Sequence, residues 1–347
     1  MRGQDGADRR GAWKFWLRLG VSLGLLALLA SQVPDLDGVL PKAHYRLTIA
    51  LLVAAVAVSV VGVVLSAWRW RRVLDAFDAD APVGILAAHH FAGLFVGNVL
   101  PSTIGGDVLR VSRVSKTVGS PTTGFASVAI ERLTGFLALP VLVLAGFALQ
   151  PSLLEQDRAW VALLIAGITL GLLGAILLAA GHPRIAGRYA ANENWTRFIG
   201  AVHVGVDRMR REPGKAAGVM VSALVYQISV VVSVGLLFRT LDLPVPVAAV
   251  IAFVPAVAMA QVLPISVSGL GVREGMLVLF LTPFGVSSGQ AIAVGLLWYA
   301  CTLATSMLGA PAFAVGYRHR APEPPEPAPP IAPELSDSDG PPCEIVP

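Results

Sequence analysis

Charged residues are scarce in this sequence of 347 residues: Asp, Glu, Lys and Arg make up only 14% of it. Soluble domains average about 25%, whereas 55% of this chain is apolar and its mean hydropathy is +0.71. The two cysteines exclude a disulfide scaffold, and the glycines lack the strict period of collagen. The long apolar runs exclude a disordered chain. The composition is that of a polytopic membrane protein.

The sequence also lacks the residue patterns of common catalytic and metal sites. It contains no phosphate-binding loop, no catalytic Ser/His/Asp set and no zinc-ligand spacing. His89 and His90 diverge on a helix and have no third ligand nearby, so we interpret them as polar lining. We therefore assign no catalytic residue, no metal and no cofactor. The basic residues flank apolar segments, which indicates membrane topology and excludes nucleic acid as a partner.

Six apolar segments are long enough to cross a bilayer. A crossing needs about 20 residues, and it must be helical because backbone amides in lipid find no water to bond. For the first segment a signal peptide is the alternative interpretation. The six segments are residues 13–31, 47–67, 121–149, 160–181, 216–238 and 291–316.

Two further apolar stretches are broken by glycine and proline. Residues 83–100 and 245–263 are short, and each runs into a segment rich in these residues. Such stretches predict re-entrant helical hairpins, which are tolerated where protein or a water-filled cavity surrounds them. Two ordinary kinked helices are the alternative.

The basic residues predict which loops face the cytoplasm. With six crossings, two hairpins and an inside N-terminus, 20 of the 26 Lys and Arg residues lie inside and 5 outside, with Arg132 in the membrane. Cytoplasmic loops carry an excess of such residues, so we predict a multi-pass protein of the cytoplasmic (inner) membrane with both termini cytoplasmic. In this count Arg69 is a cytoplasmic loop charge, and Trp70 beside it is an interfacial aromatic.

The two hairpin regions match each other when the sequence is shifted by 163 residues, with five identities in thirteen positions. The order span, span, hairpin, span also occurs twice. We therefore predict an all-α membrane helix bundle with an inverted-topology repeat, its halves being residues 13–149 and 160–316 of a transmembrane domain at 13–320. Such folds bind substrate near the midplane, where broken helices meet. The matched pairs include Asn98 with Gln261, Pro101 with Pro264, Gly106 with Gly269 and Arg110 with Arg273.

Three acid–base sets interrupt the apolar sequence. A charge at the bilayer centre costs about 2.5–3.5 kcal/mol on insertion scales, so it normally faces a cavity or a partner. The sets predict a charged central cavity, and an ion-pair network between helices is the alternative. Adjacent residues point in different directions on a helix, so we do not expect Arg273 and Glu274 to pair. The sets are Asp107 with Arg110, Glu131 with Arg132, and Arg273 with Glu274.

These motifs, in this order, resemble those of the lysylphosphatidylglycerol synthase transmembrane-region family, also called flippase-like domain proteins, over about residues 15–318. The resemblance implies a membrane domain that moves lipid across the bilayer, expected here without the cytosolic synthase domain. An archaeal branch linked to sugar transfer from a polyprenyl-phosphate carrier implies a different function. Ser268 stands where the family more often has glycine. The matching residues are Asn98, Leu100-Pro101, Gly105-Gly106-Asp107, Arg110, Glu131-Arg132, Leu263-Pro264, Gly269, Gly271 and Arg273-Glu274.

The leading hypothesis is a lipid translocator in which Arg110 and Arg273 hold a lipid phosphate as two half-sites of a midplane cavity. We expect its partner to be a membrane lipid, either an anionic phospholipid or a polyprenyl-phosphate lipid, and we leave a homo-oligomer open. A polyprenyl-phosphate-dependent membrane glycosyltransferase and a membrane partner of a separate lipid synthase are the alternatives. The assigned substrate-binding residues are Asn98, Pro101, Gly105, Gly106, Asp107, Arg110, Glu131, Arg132, Gln261, Pro264, Gly269, Gly271, Arg273 and Glu274.

The two ends of the chain differ from the apolar middle. Residues 321–347 contain ten prolines and six acidic residues but no Lys or Arg. Such a segment cannot bury enough apolar surface to fold, so it is predicted to be a disordered cytoplasmic tail. Residues 1–12 are predicted to be a cytoplasmic N-terminus.

Overall fold

The computed structural model describes residues 45–99, 105–181, 196–262 and 269–314, which are helical apart from short connections. The predicted all-α helix bundle is confirmed, and these four ranges contain no strand. Several predicted features lie outside the described residues: the N-terminus at 1–12, the span at 13–31, Pro101, Pro264 and the tail at 321–347.

Five helices of the described part are long and apolar enough to cross a membrane. Large apolar side chains on them, such as Val53, Leu172 and Val221, are more than half exposed. Extensive exposure of large apolar side chains suits contact with lipid. The five are α1 (Tyr45–Ala76), α4 (Pro121–Leu149), α5 (Ala159–Gly181), α7 (Pro213–Thr240) and α10 (Ser288–Met307).

Both hairpin regions fold as pairs of shorter helices. The apolar helix has 17 residues in the first pair and 14 in the second. A typical membrane crossing needs about 20 residues, so both helices are short. The first pair is α2 (Val83–Val99) with α3 (Gly105–Val118), and the second is α8 (Val247–Ala260) with α9 (Val272–Leu281). The remaining helices are α6 (Thr196–Arg211) and the short α11 (Gly309–Ala314).

The order of the helices repeats along the chain. A shift of 163 residues places α1 on α7, α2 on α8, α3 on α9 and α4 on α10, and the helix bounds then agree to within five residues. The packing repeats as well, because α2 packs on α10 and α11 while α8 packs on α4. The helices α1 and α7 lie along each other in the most extensive interface among the described helices. The internal repeat is therefore present in helix order and in packing.

Two matching glycines bring the halves into close contact. Gly146 of α4 and Gly309 of α11 are superimposed by the same shift of 163 residues. A Cβ atom on Gly146 would lie 2.6 Å from the backbone nitrogen of Ala252, and one on Gly309 would lie 2.6 Å from the carbonyl carbon of Phe91. Small residues let helix backbones approach this closely within a membrane. Each half therefore holds the first helix of the other half's hairpin through a glycine.

Two residues assigned to the cytoplasmic interface are buried instead. The helix α1 continues to Ala76, well past the predicted span at 47–67. Arg69 is only 4% exposed because it pairs with a carboxylate of α4, and Trp70 is fully buried with its indole Nε1 donating to Ser127 Oγ at 3.0 Å. The assignments of Arg69 to a loop and of Trp70 to an interfacial belt were wrong.

Alanine at Gly146 or Gly309 is expected to destabilise the bundle. The added methyl group forces backbone or side-chain shifts, which typically cost about 1–3 kcal/mol in a packed core. Gly171→Ala is the matched control, because nothing lies within 4 Å of a Cβ at that helical glycine. Thermal unfolding in detergent measures the effect. Equal unfolding midpoints for Gly146→Ala, Gly309→Ala and Gly171→Ala would contradict the close contact.

The inverted orientation of the repeat predicts that the two hairpins enter from opposite sides. In a chain whose own cysteines are replaced, a thiol introduced at the exposed Lys116 should react with an impermeant maleimide from the cytoplasmic side. A thiol at the exposed Ser287 should react from the other side. Labelling in intact and in permeabilised cells measures this, and reaction of both thiols from one side would refute the inversion.

Candidate functional site

A cavity of about 690 Å³ opens among helices of both halves. Its size lies within the range of about 300–1,000 Å³ seen for small-molecule sites. Six helices and the residue Gln261 after α8 contribute polar side chains to its wall. These are Ser59, Ser66 and Arg69 of α1, His90 and Asn98 of α2, Asp107 and Arg110 of α3, Glu131 and Arg132 of α4, Tyr226, Gln227, Ser229 and Ser233 of α7, Trp298, Thr302, Thr305 and Ser306 of α10, and Gln261 after α8.

The carboxylate of Glu131 lies at the centre of the charged wall and is 2% exposed. Its Oε1 accepts hydrogen bonds from Arg69 Nη2 and, at 3.0 Å, from Ser66 Oγ. Its Oε2 accepts from Arg110 Nη2 at 3.1 Å. One carboxylate therefore joins α1, α3 and α4. Removing one partner of such a buried pair costs about 3–5 kcal/mol, because a charge is left uncompensated.

A second ion pair, between Asp107 and Arg132, is more accessible from the cavity. Arg132 Nη2 lies 2.5 Å from Asp107 Oδ2, and the two side chains are 52% and 29% exposed. Arg110 Nη1 lies 3.6 Å from Asp107 Oδ1, which links this pair to Glu131. Exposed ion pairs are worth little and exchange partners easily compared with buried ones. The site thus combines a buried anchor with an accessible pair.

The linked groups carry an excess of positive charge. Three guanidinium groups, of Arg69, Arg110 and Arg132, meet two carboxylates, which leaves one positive charge uncompensated within the cluster. Arg69 Nε and Nη1 and Arg110 Nε are buried and, within the described part of the chain, have no hydrogen-bond partner. Arg110 and Arg69 also lie over the rings of Trp70 and Tyr226, at 4.4 Å and 4.9 Å from the ring centroids. The cluster is therefore poised to attract an anion.

The second hairpin carries a separate ion pair. Glu274 Oε2 accepts from the backbone N–H of Gly271 at 2.6 Å, and its Oε1 accepts from Arg273 Nε at 3.3 Å. The expectation that Arg273 and Glu274 do not pair was wrong. The carboxylate turns back to bond the start of its own helix α9, and this brings it beside the neighbouring guanidinium. Gly271 has a φ of +83°, which only glycine adopts without strain.

The two histidines of α2 have different surroundings. His90 lines the cavity, whereas His89 Nε2 lies 3.2 Å from Thr117 Oγ1 of α3. Across the four described ranges, no group of three or more His, Cys, Asp or Glu side chains is arranged to hold a metal ion. His90 therefore acts as cavity lining, and His89 bonds within the hairpin.

The structure brings together many, but not all, of the residues assigned from sequence. Gly105, Gly271 and Glu274 line neither this cavity nor a smaller one of about 180 Å³ beside Arg273. Asn98 and Gln261 line both cavities. The assigned residues on the wall of the larger cavity are Asn98, Gly106, Asp107, Arg110, Glu131, Arg132, Gln261 and Gly269.

Sequence reasoning missed the contribution of α1 and α7. Ser66 and Arg69 both bond Glu131, yet neither was assigned to the site. Their spacing of three residues, and that of Ser59 seven residues earlier, places all three on one helix face. This polar face was the available signal. Tyr226 of α7 gave no comparable signal, because its ring packs against Arg69 from a helix that is distant in the sequence.

Comparison with known proteins gives a family and one distant relative. The family model described as Lysylphosphatidylglycerol synthase TM region matches residues 15–309, a range that includes both cavities. A curated relative, the UPF0104 membrane protein of Methanothermobacter thermautotrophicus, is 22% identical over 260 residues, covering 67% of this chain and 74% of that protein. No solved structure matches the chain.

Proposed function

Because the chain belongs to the lysylphosphatidylglycerol synthase TM region family, we propose that it is a lipid translocator of the cytoplasmic membrane. Its substrate is a lipid with a phosphate-bearing headgroup, either an anionic phospholipid or a polyprenyl-phosphate lipid. The headgroup passes through the larger cavity while the hydrocarbon chains stay in apolar surroundings. The observation that carries the proposal is the uncompensated positive charge on the cavity wall.

One negative charge is what the cluster requires. A phosphodiester group carries a single negative charge, which would neutralise the excess of three arginines over two carboxylates. Arginine presents a planar set of donors that matches phosphate oxygens two at a time. A cationic headgroup would instead add to the excess. The charges therefore favour an anionic headgroup.

Arg132 is the arginine suited to hold the phosphate. It is half exposed in the cavity, and its partner Asp107 is also partly exposed. The phosphate exchanges with the Asp107 carboxylate on the Arg132 guanidinium, while the buried bonds of Glu131 to Arg69 and Arg110 stay in place. Asp107 thus occupies the binding position of the substrate when the cavity is empty.

The same cavity offers an apolar wall for the hydrocarbon part of the lipid. Side chains from α1, α2, α4, α7 and α8, and the residue Val262 after α8, supply it. A site that is mostly apolar with a few placed polar groups is typical of small-molecule binding. The apolar residues are Val63, Leu94, Phe136, Leu139, Val230, Ala258 and Val262.

Arg132→Ala is expected to reduce lipid movement without unfolding the protein. A charged hydrogen bond to phosphate is worth about 1.5–3 kcal/mol, so the rate should fall by at least about tenfold. The full chain is reconstituted in liposomes with tail-labelled phosphatidylglycerol, and the reduction of outer-leaflet label by dithionite is followed. Arg239→Ala is the matched control, because Arg239 is an exposed arginine at the end of α7.

The outcomes of this experiment separate the candidate functions. Movement by Arg132→Ala at the rate of the unchanged chain would contradict the proposal. Absence of any movement by the unchanged chain would do the same. Mass spectrometry of the recovered lipid adds a second test, because a new covalent group on the lipid or on an acceptor would indicate a transferase instead.

Asp107→Asn is expected to tighten lipid binding. A neutral amide competes poorly for Arg132, so phosphate no longer has to displace a carboxylate, and affinity for a short-chain phosphatidylglycerol should rise by about tenfold. Fluorescence titration in detergent measures this, and Asp157→Asn, at an exposed position, is the control. Weaker binding by Asp107→Asn would mean that the carboxylate supports the phosphate site rather than occupying it.

A further inference from the structure

A second cavity, of about 180 Å³, lies beside Arg273 near the start of α9. Both halves contribute to its wall, and the described residues that line it have polar or aromatic side chains. Four of these six residues also line the larger cavity, so the two cavities adjoin. The six are Asn98, Gln261, Arg273, Trp298, Tyr299 and Thr302.

Arg273 is a buried cation with an unused donor. It is 2% exposed, and its Nε donates to Glu274 Oε1 at 3.3 Å. The other oxygen of Glu274 already accepts from the backbone of Gly271. Arg273 Nη2 has no hydrogen-bond partner within the described ranges. A buried guanidinium donor without a partner is costly, so a group that accepts its hydrogen bond stabilises the site.

The surroundings of that donor favour an anion over an uncharged group. Arg273 lies in the first turn of α9, where the helix dipole favours negative charge. The carboxamides of Asn98 and Gln261 lie at the boundary with the larger cavity. Asn98 Nδ2 donates to Ser306 Oγ at 2.9 Å, which leaves one of its two N–H donors for a ligand. The rings of Trp298 and Tyr299 lie 5.7 Å and 5.2 Å from the guanidinium and fix its position.

We propose that the cavity beside Arg273 is a second anion site, which takes one phosphate group. The inference rests on the proposed function only in naming a lipid headgroup as one source of that phosphate; a free phosphate ion is the other. This site and the site at Arg132 are two adjoining binding sites for a phosphate group. The carboxamides of Asn98 and Gln261, related by the repeat, lie on the boundary between them.

The two sites differ in charge, so they bind phosphate with different affinity. The shift of 163 residues places Arg273 on Arg110, but it places Gly295 on Arg132. A Cβ on Gly295 would lie 2.8 Å from Glu274 Cγ, so the glycine leaves room for that side chain. The second site therefore has one arginine balanced by one carboxylate, whereas the first has an excess charge. The second site is the weaker of the two.

The number of phosphate groups bound per chain tests the proposal. The full chain in detergent is titrated by calorimetry with a short-chain phosphatidylglycerol and, separately, with inorganic phosphate. The unchanged chain should bind two lipid molecules. The double variant R273M/E274Q, which leaves no buried charge unpaired, should keep the tighter site and lose the weaker one by at least about tenfold in affinity.

R132A should lose the tighter site and keep the weaker one, and R239A should keep both. Size-exclusion chromatography and thermal unfolding check that each variant is folded, and R273Q/E274Q serves if R273M/E274Q is not. A single site in the unchanged chain, or two unaltered sites in either double variant, would overturn the proposal. If inorganic phosphate also fills two sites, free phosphate is sufficient as the ligand. If the lipid fills two sites and inorganic phosphate does not, the ligand is the lipid headgroup.

The same preparations separate this proposal from the proposed function. If the unchanged chain binds two phosphate groups but moves no lipid in liposomes, the proposal of a second site is supported and the proposal of lipid translocation is contradicted. If the chain moves lipid but R273M/E274Q binds as the unchanged chain does, translocation stands and the second site fails.

Discussion

The burial of Glu131 between two arginines is the interaction on which the rest of the structure depends. A lone charge in the middle of a bilayer costs about 2.5–3.5 kcal/mol on insertion scales. Here Glu131 lies between Arg69 and Arg110, and Asp107 lies between Arg110 and Arg132, so the signs alternate through five groups. Each charge has an opposite neighbour. The alternation fixes α1, α3 and α4 around one cavity and leaves the last member accessible.

The two halves share their packing but not their charges. Gly146 and Gly309 occupy matching positions, and each holds a hairpin helix of the other half. The chemistry departs from the repeat at α4 and α10, where the shift of 163 residues places Val294 on Glu131 and Gly295 on Arg132. The repeated scaffold therefore carries two unequal sets of charged groups, because backbone contacts define the fold while a few side chains define the charge.

Hydropathy and charge predicted most of the fold, because the constraint of lipid on a backbone acts at short range. Uncharged runs of sequence indicated the membrane helices, and the match of the sequence with itself at a shift of 163 residues indicated the two hairpin regions. The candidate site was harder to predict, because it depends on contacts between segments that are distant in the sequence. Glu131 and Arg132 were found because charges stand out in apolar sequence. Arg69 was assigned to a loop because a basic residue after an apolar run normally marks the membrane surface, and only the contact with Glu131 shows otherwise.

The accessibility of Arg132 links binding to the exclusion of water. Two unit charges 4 Å apart attract by about 1 kcal/mol in bulk water and by about 4 kcal/mol at an effective dielectric constant of 20. While the cavity is wet, the half-exposed Arg132 is solvated and its bond to Asp107 is weak. Under the proposed function, a lipid that brings its hydrocarbon chains against the apolar wall displaces that water. The attraction between its phosphate and the excess charge would then strengthen, so the cavity would discriminate by headgroup charge and by apolar contact together, whereas a small soluble anion would gain only the first.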